Sequence, residues 1–180
     1  MDDESLVELA IDGNDEALRI LHDRYVQPLF HYAYVQTGNH HDAEEIVQDI
    51  FYKMAKSLAS FQRKSSFKTW IFAISRNVTI DYHRKQKKHK KSVAMPGESL
   101  EPFTAPVKSA EDEVFQRGLK EDIFAALKQL PSDDQAVLQL RLIEGFSIKE
   151  TAEIMSKTRF SVKSLQHRAK KKMVALMGKR

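Results

Sequence analysis

Residues 147–172 read SIKETAEIMSKTRFSVKSLQHRAKKK, and this stretch decides the fold. Ser147-Ile148-Lys149-Glu150 puts a serine three residues ahead of a glutamate, the capping-box pattern in which each side chain satisfies a backbone donor at a helix start. A short helix follows, with Ile148, Ala152 and Met155 inward, and Ser156-Lys157-Thr158 reads as a turn. The last helix, about 159–176, places Val162, Leu165, Ala169, Met173 and Leu176 on one face. Two short helices joined by a tight turn, the second studded with Lys163, Arg168, Lys170, Lys171 and Lys172, match the requirements of a helix-turn-helix. Opposite the apolar face lie Lys163, Ser164, His167 and Arg168, donors and acceptors of suitable length for base edges in a major groove. Arg159, Ser161 and Lys171 complete the candidate duplex-contacting set. The competing reading is an amphipathic terminal helix whose lysines merely suit its C-terminal dipole.

The helical period extends outward from there. Over 43–58 the apolar positions are Ala43, Ile46, Val47, Ile50, Phe51, Met54 and Leu58, one stripe of a helix, with Asp42 expected as N-cap and Glu45 reaching back to it. Phe67, Trp70, Ile71, Ile74, Val78 and Tyr82 repeat the stripe after a cap at Ser65 or Ser66. A short helix over 3–12 should end at Gly13. Asn14-Asp15 opens another through Ala17, Leu18, Leu21 and Tyr25, which Pro28 should kink or divide because it lacks a backbone donor. Residues 87–108 change character: Lys87, Lys88, Lys90 and Lys91 precede Pro96-Gly97, Pro102 and Pro106, with few large apolar residues. The expected organisation is all-α: an N-terminal helical domain at 1–86, a flexible linker at 87–108 and a C-terminal helix-turn-helix domain at 109–180. The second domain should restart at Ser109-Ala110-Glu111-Asp112. Its first helix carries Val114, Ile123, Leu127 and Leu130, weakened by Gly118, and a helix over 133–144 follows, ended by Gly145.

Charge is segregated along the chain. The net is −8 over residues 1–60, +9 over 61–95, −5 over 96–135 and +8 over 136–180, within a total of +4. Two separate basic blocks suggest two contacts with a polyanion, and the acidic blocks suggest a basic protein partner or a fence around the cations. The second basic block holds a loop, Phe61-Gln62-Arg63-Lys64-Ser65, and a helix with Lys68, Trp70, Arg76, Asn77, His83 and Arg84. Aromatics interleaved with cations suit single-stranded nucleic acid, whose unstacked bases can rest on rings or enter pockets. The candidate single-strand set is Phe61, Arg63, Lys64, Lys68, Arg76, Asn77 and Arg84. Phe67 and Trp70 lie on the apolar stripe and are expected in the core. Between the two candidate DNA elements and the N-terminus, Glu45, Gln48, Asp49 and Tyr52 form a polar face suited to a basic protein partner.

Several classes are excluded or unsupported. The chain of 180 residues has no cysteine, so disulfides, cysteine zinc sites, iron–sulfur clusters and thiol nucleophiles are absent. Its 6 glycines and 5 prolines are too few for a low-complexity chain. No apolar run approaches the ~20 residues that span a bilayer, and the acidic start Met1-Asp2-Asp3-Glu4 is the reverse of a signal peptide, so a cytoplasmic location is expected. His40-His41 beside Asp42, Glu44 and Glu45 has no helical two-histidine metal spacing. No nucleophile–base arrangement or phosphate loop stands out, and neither an enzyme nor a cofactor is expected.

Residues 42–51, DAEEIVQDIF, and 67–81, FKTWIFAISRNVTID, resemble the signature helices of bacterial RNA polymerase sigma factors of the small extracytoplasmic-function (ECF) type. Leu130-Pro131, Leu140-Arg141, Glu144 to Ser147, Glu150 to Ala152 and Ser161 to Ala169 are similar to the same family's C-terminal helix-turn-helix. The resemblance implies that Glu45, Gln48, Asp49 and Tyr52 dock on the clamp coiled coil of core RNA polymerase. It implies that the loop 57–66, with Phe61 and Asn77, captures a flipped base of the −10 element. Lys163, Ser164, His167 and Arg168 would read the −35 element of promoter DNA as duplex, with the linker threaded through the polymerase. An anti-sigma protein, often membrane-bound in this subgroup, is a further implied partner; a small-molecule substrate is not. Many relatives carry Gly where Ser156 stands, an apolar residue at Lys157, Arg at Leu165 and Leu at Gln166, which bears on the tilt of the recognition helix.

Two rivals remain at the level of sequence. A stand-alone helix-turn-helix regulator predicts DNA binding without polymerase, usually as a dimer on symmetric half-sites. A helical protein-interaction module with incidental charge predicts no sequence-specific DNA binding.

Overall fold

A computed structural model of the chain describes residues 1–92 and 120–179. These residues form helices and turns, with no strand among them. Helix α1 (Asp3–Ile11) is capped by the Asp2 carboxylate, which accepts from the Ser5 amide at 2.8 Å, and the chain turns at Gly13 with φ 91°. Helix α2 (Asp15–Thr37) starts on Asn14, whose side chain accepts from the Ala17 amide, and stops at left-handed Gly38. Helix α3 (His40–Ser57) leads through a 3₁₀ turn (Leu58–Ser60) and the basic loop to α4 (Phe67–Ser92), where the Ser66 hydroxyl accepts from the Thr69 amide at 3.1 Å. Helix α5 covers described residues 120–128. Then come α6 (Ser132–Leu138), a π turn (Gln139–Ile143), α7 (Ile148–Met155) and α8 (Arg159–Met177).

Three local expectations are corrected. Pro28 does not divide α2; the helix runs through it, because Leu21, Tyr25, Leu29 and Tyr32 are buried on either side of the proline and hold both halves against the core. The N-cap of α3 is Asn39, not Asp42: Gly38 turns the chain one step earlier, and the Asn39 side chain accepts from the Asp42 amide at 3.0 Å. The freed Asp42 carboxylate instead accepts from the Tyr82 hydroxyl at 2.6 Å, tying α3 to α4. Finally, residues 87–92, read as the start of the connector, continue α4, since lysine is a good helix former and no glycine or proline breaks the helix there. The connector's Pro96, Gly97, Pro102 and Pro106, and the expected restart at Ser109 with Val114 and Gly118, lie outside the described residues.

Helices α1 to α4 enclose one core. Tyr32, Phe67 and Phe72 are its largest fully buried side chains, with Leu21, Ile50 and Ile71 beside them. Each such burial stabilises by about 1.5–3 kcal/mol, so the bundle is rigid enough to hold a surface loop in place. In the second domain Val137, Leu140, Val162 and Ala169 close the core between α6 and α8. Both halves of the Ser147–Glu150 capping box form, at 3.1 and 2.7 Å. Lys172 reaches Asp134 at 2.5 Å, and Arg141 donates to Gln166 at 3.0 Å and to the Phe146 carbonyl, fixing α8 against the π turn.

The two domains pack against each other. Phe72 of α4 meets Phe146 edge-on at 5.1 Å, and Tyr34 of α2 stacks on Phe124 of α5 at 5.2 Å. Between these contacts runs a buried amide chain. Gln36 donates to the Gln139 side chain at 2.9 Å, and Gln139 donates to the Tyr32 carbonyl at 3.3 Å. Gln36 Oε1 also accepts from Ser132 at 3.3 Å and lies 3.3 Å from His83 Nε2.

Candidate nucleic-acid interface

The last helix offers the clearest surface. Thr158 caps α8: its hydroxyl accepts from the Ser161 amide at 3.0 Å and donates to the Ser161 hydroxyl at 2.9 Å. Ser161 is therefore tied into the helix start. Val162, Leu165 and Ala169 are buried, while Arg159, Lys163, His167, Arg168 and Lys171 are exposed and Ser164 is half-buried. The sequence-derived duplex-reading set thus lies on the outer side of α8. Ser156, the turn residue that ends α7, is held at φ 52°, the left-handed region that favours glycine. Leu165 points into the core and Gln166 binds Arg141, so the two departures from the family pattern inside α8 serve the packing of the helix rather than its outer face.

The basic loop and α4 behave less uniformly. Phe61 is half-buried and leans on Trp70 at 4.9 Å and Phe67 at 6.1 Å. Phe67 belongs to the core as expected, whereas Trp70 is half-buried under the loop. Arg63 adopts φ 56° and pairs with Glu8 at 2.7 Å, so α1 holds the loop from below. Lys64 and Asn77 are exposed, and Arg84 is an exposed cation paired with Asp81 at 3.3 Å.

Lys68 and Arg76 are placed differently from the expectation of free surface cations. Lys68 donates to the Glu144 carbonyl at 3.0 Å, lies 3.7 Å from that residue's carboxylate, and its ammonium sits 4.8 Å from the centre of the Phe146 ring. Arg76 is 4 % exposed and forms an ion pair with Asp133; its Nε and Nη1 find no acceptor among the described residues. Lys157 takes the other Asp133 oxygen at 3.2 Å. Burial by itself would raise the Asp133 carboxyl, but Arg76 and Lys157 outweigh it and hold it below the usual carboxylate range. Burial wins at Glu144, which is raised despite Lys68. Sequence reasoning missed both carboxylates as partners, because each is far along the chain from its cation and on the other side of the connector.

The polar face of α3 is intact. Glu45, Gln48, Asp49 and Tyr52 are all exposed and fall at i, i+3, i+4 and i+7, one stripe. His41 lies 3.3 Å from Glu45, Lys53 3.5 Å from Asp49, and Lys56 sits over the Tyr52 ring at 4.7 Å. This stripe is backed by Ile46, Val47 and Ile50 in the core, so it is presented on a fixed scaffold.

Comparison with known proteins matches the two halves separately. Residues 21–89 match Sigma-70 region 2 and residues 120–173 match Sigma-70, region 4. The ECF RNA polymerase sigma factor SigX of Bacillus subtilis is 30% identical over 164 residues, covering 87% of this chain and 81% of that protein. The ECF RNA polymerase sigma-E factor of Escherichia coli K12 is 28% identical over 175 residues, covering 93% and 90%. Among solved structures, CnrH, determined with the cytosolic domain of CnrY, superposes with a TM-score of 0.71 at 22% identity over 98% of this chain and 97% of that one. RpoE of Bartonella quintana, determined with the anti-sigma factor NepR, gives 0.73 at 24% identity over 89% and 98%. These two likenesses show the fold. No described helix is long and apolar enough to cross a membrane.

Proposed function

The chain belongs to the ECF family of RNA polymerase sigma factors, and from that premise we propose how its surfaces divide the work of directing core polymerase to promoters and starting transcription there. The α3 stripe Glu45, Gln48, Asp49 and Tyr52 docks on the clamp coiled coil of the core enzyme, acid against base. The outer side of α8, with Arg159, Ser161, Lys163, Ser164, His167, Arg168 and Lys171, reads the −35 element as duplex. Phe61, Arg63, Lys64, Lys68, Arg76, Asn77 and Arg84 hold the −10 strand once it is melted. The observation that carries this reading is that Asn77 and the α8 side chains other than half-buried Ser164 are exposed, while Val162, Leu165 and Ala169, which seat α8, are buried.

The energetics fit this division. Opening DNA costs a mean of roughly 1.4 kcal/mol per base-pair step in stacking. An extruded base in a fixed pocket offsets part of that, and charge holds the strand. Good duplex contacts contribute ~1–3 kcal/mol each, which anchors the complex.

In the packed arrangement Lys68 and Arg76 are bound to Glu144 and Asp133. The −10 face is then complete only when the domains part, and core polymerase is the partner that parts them. An anti-sigma protein, soluble or membrane-bound, would act by competing for the same surfaces. Action beside polymerase in the cytoplasm and the lack of an enzymatic reaction of its own belong to the same proposal.

The test is transcription by purified core polymerase on a pool of genomic DNA, with and without the protein. New starts sharing one −35 and one −10 element support the reading. Unchanged starts, or specific duplex binding by the free protein as tight as that of the assembled holoenzyme, would contradict it.

A further inference from the structure

Two large apolar side chains on α8 are exposed, Phe160 near its start and Val174 near its end, and only Phe160 falls among the residues assigned above to the duplex. Phe160, the second residue of the helix, is 79% exposed, the most exposed large apolar side chain among the described residues. Its neighbours on the helix make the placement informative. Phe160, Ser164, His167, Arg168 and Lys171 stand at i, i+4, i+7, i+8 and i+11, one continuous stripe. The phenyl ring therefore heads the row of donors and cations assigned above to the −35 duplex. The buried stripe of Val162, Leu165 and Ala169 lies on the other side, so no small shift of α8 brings Phe160 into the core. Leaving a phenyl ring in water forgoes the favourable burial that the other large apolar residues obtain.

An apolar group flanked by Arg159 and Lys163 does not suit another apolar protein surface, because those cations would be desolvated with it. It suits a surface that is anionic all round and apolar at a point. A DNA major groove is such a surface: phosphates line its edges, and the 5-methyl of thymine is the one apolar group on its floor. Residues near the start of a recognition helix are those that reach base edges. Resting on the −35 assignment, we propose that Phe160 is a specificity-determining residue that selects thymine in the −35 element by contact with its methyl group.

The test uses the full chain assembled with core polymerase and a promoter recovered from the genomic pool. Each −35 thymine, on either strand, is replaced singly by deoxyuridine, which removes the methyl and leaves every hydrogen-bonding group in place. The wild type should lose about fourfold in promoter affinity at one or two adjacent positions, the size expected for one buried methyl. Phe160→Ala should bind the thymine promoter more weakly and show no further loss at those positions. Phe160→Leu should keep part of the discrimination. Because Phe160 is 79% exposed, the melting temperature of Phe160→Ala should match the wild type. Four results would overturn the inference: no deoxyuridine effect in the wild type, an undiminished effect in Phe160→Ala, recovered −35 elements without thymine, or a Phe160→Ala defect confined to core polymerase binding. Failure of the −35 assignment itself is distinguishable, because base changes in that element would then leave affinity unchanged before any methyl is removed.

Discussion

Arg76 on α4 and Lys157 at the turn of the helix-turn-helix share the two oxygens of a single carboxylate, Asp133, so the first domain is bolted to the second through one acidic side chain. The bolt is imperfect. Arg76 is almost wholly buried, yet two of its nitrogens lack acceptors among the described residues. A buried charged donor without a partner costs at least about 1–3 kcal/mol, so the contact holds the domains together without locking them.

Asp133→Asn should open the molecule. The chain has no cysteine, so Ala55→Cys on α3 and Val174→Cys on α8, both exposed, can carry a dye pair without background. Energy transfer between them should fall in Asp133→Asn relative to Asp133, corresponding to a loss of about 1–3 kcal/mol from breaking a partly buried pair. Unchanged transfer would mean that Phe72–Phe146 and the glutamine chain suffice to hold the domains.

Closure should also loosen in mild acid. Burial, then the cations Arg76, Lys128, Lys87 and Lys90, hold the His83 imidazole below its usual 6.5. The folded state thus favours the neutral ring, and the stability this gives is present above about pH 6.5 and lost as pH falls through the lowered value. His83 lies against Gln36, which bonds to Ser132 and Gln139 of the other domain. Energy transfer in the dye-labelled protein should fall between pH 7.5 and 5.5, and His83→Gln should flatten that slope. His31, also lowered by burial, has the same sign but lies in the first domain and would persist in the variant as a change in melting temperature. Asp133 adds a second loss only below about pH 3.8, since its carboxyl is held low.

Ser156→Gly should stabilise the helix-turn-helix by about 0.5–1 kcal/mol. A left-handed serine carries roughly 1–2 kcal/mol of backbone strain, and glycine's larger unfolded-state entropy takes back part of the gain. A higher melting temperature for the variant checks this; a lower one would mean that the serine side chain holds the turn.

Asp49→Lys should weaken core polymerase binding about tenfold or more while leaving the fold intact, since Asp49 is exposed and its partner Lys53 is a surface pair. Fluorescence titration of core enzyme measures it. Equal affinity would remove α3 from the docking surface.

How far the sequence reaches is visible in these same residues. The capping box at Ser147–Glu150, the turn at Ser156 and the stripes of α3 and α8 are written in neighbours three and four apart, and reading them needs only the helical period. Asn39 as cap was missed because Asp42 offered the same chemistry three residues later, and only the turn at Gly38 decides between them. The unbroken α2 was missed because the local penalty of Pro28 is outweighed by packing on both sides. Arg76 looked like a surface cation because its helix is basic; its partner Asp133 is fixed by tertiary packing, which no local pattern encodes. For the same reason the candidate −35 set was legible as a surface, whereas the shared role of Lys68 and Arg76 in domain contact was not.

The central claim is that one protein holds a promoter melted at one end and paired at the other. Permanganate reactivity of −10 thymines and backbone protection of the −35 duplex, read together in a single holoenzyme complex, test it most directly. With wild-type protein the −10 thymines should react and the −35 backbone should be protected. Asn77→Ala should suppress the reactivity and keep the protection, and Arg168→Ala should weaken the protection of a promoter that depends on its −35 element. If both variants lose both signals together, or if neither loses either, the two surfaces do not divide the work in this way.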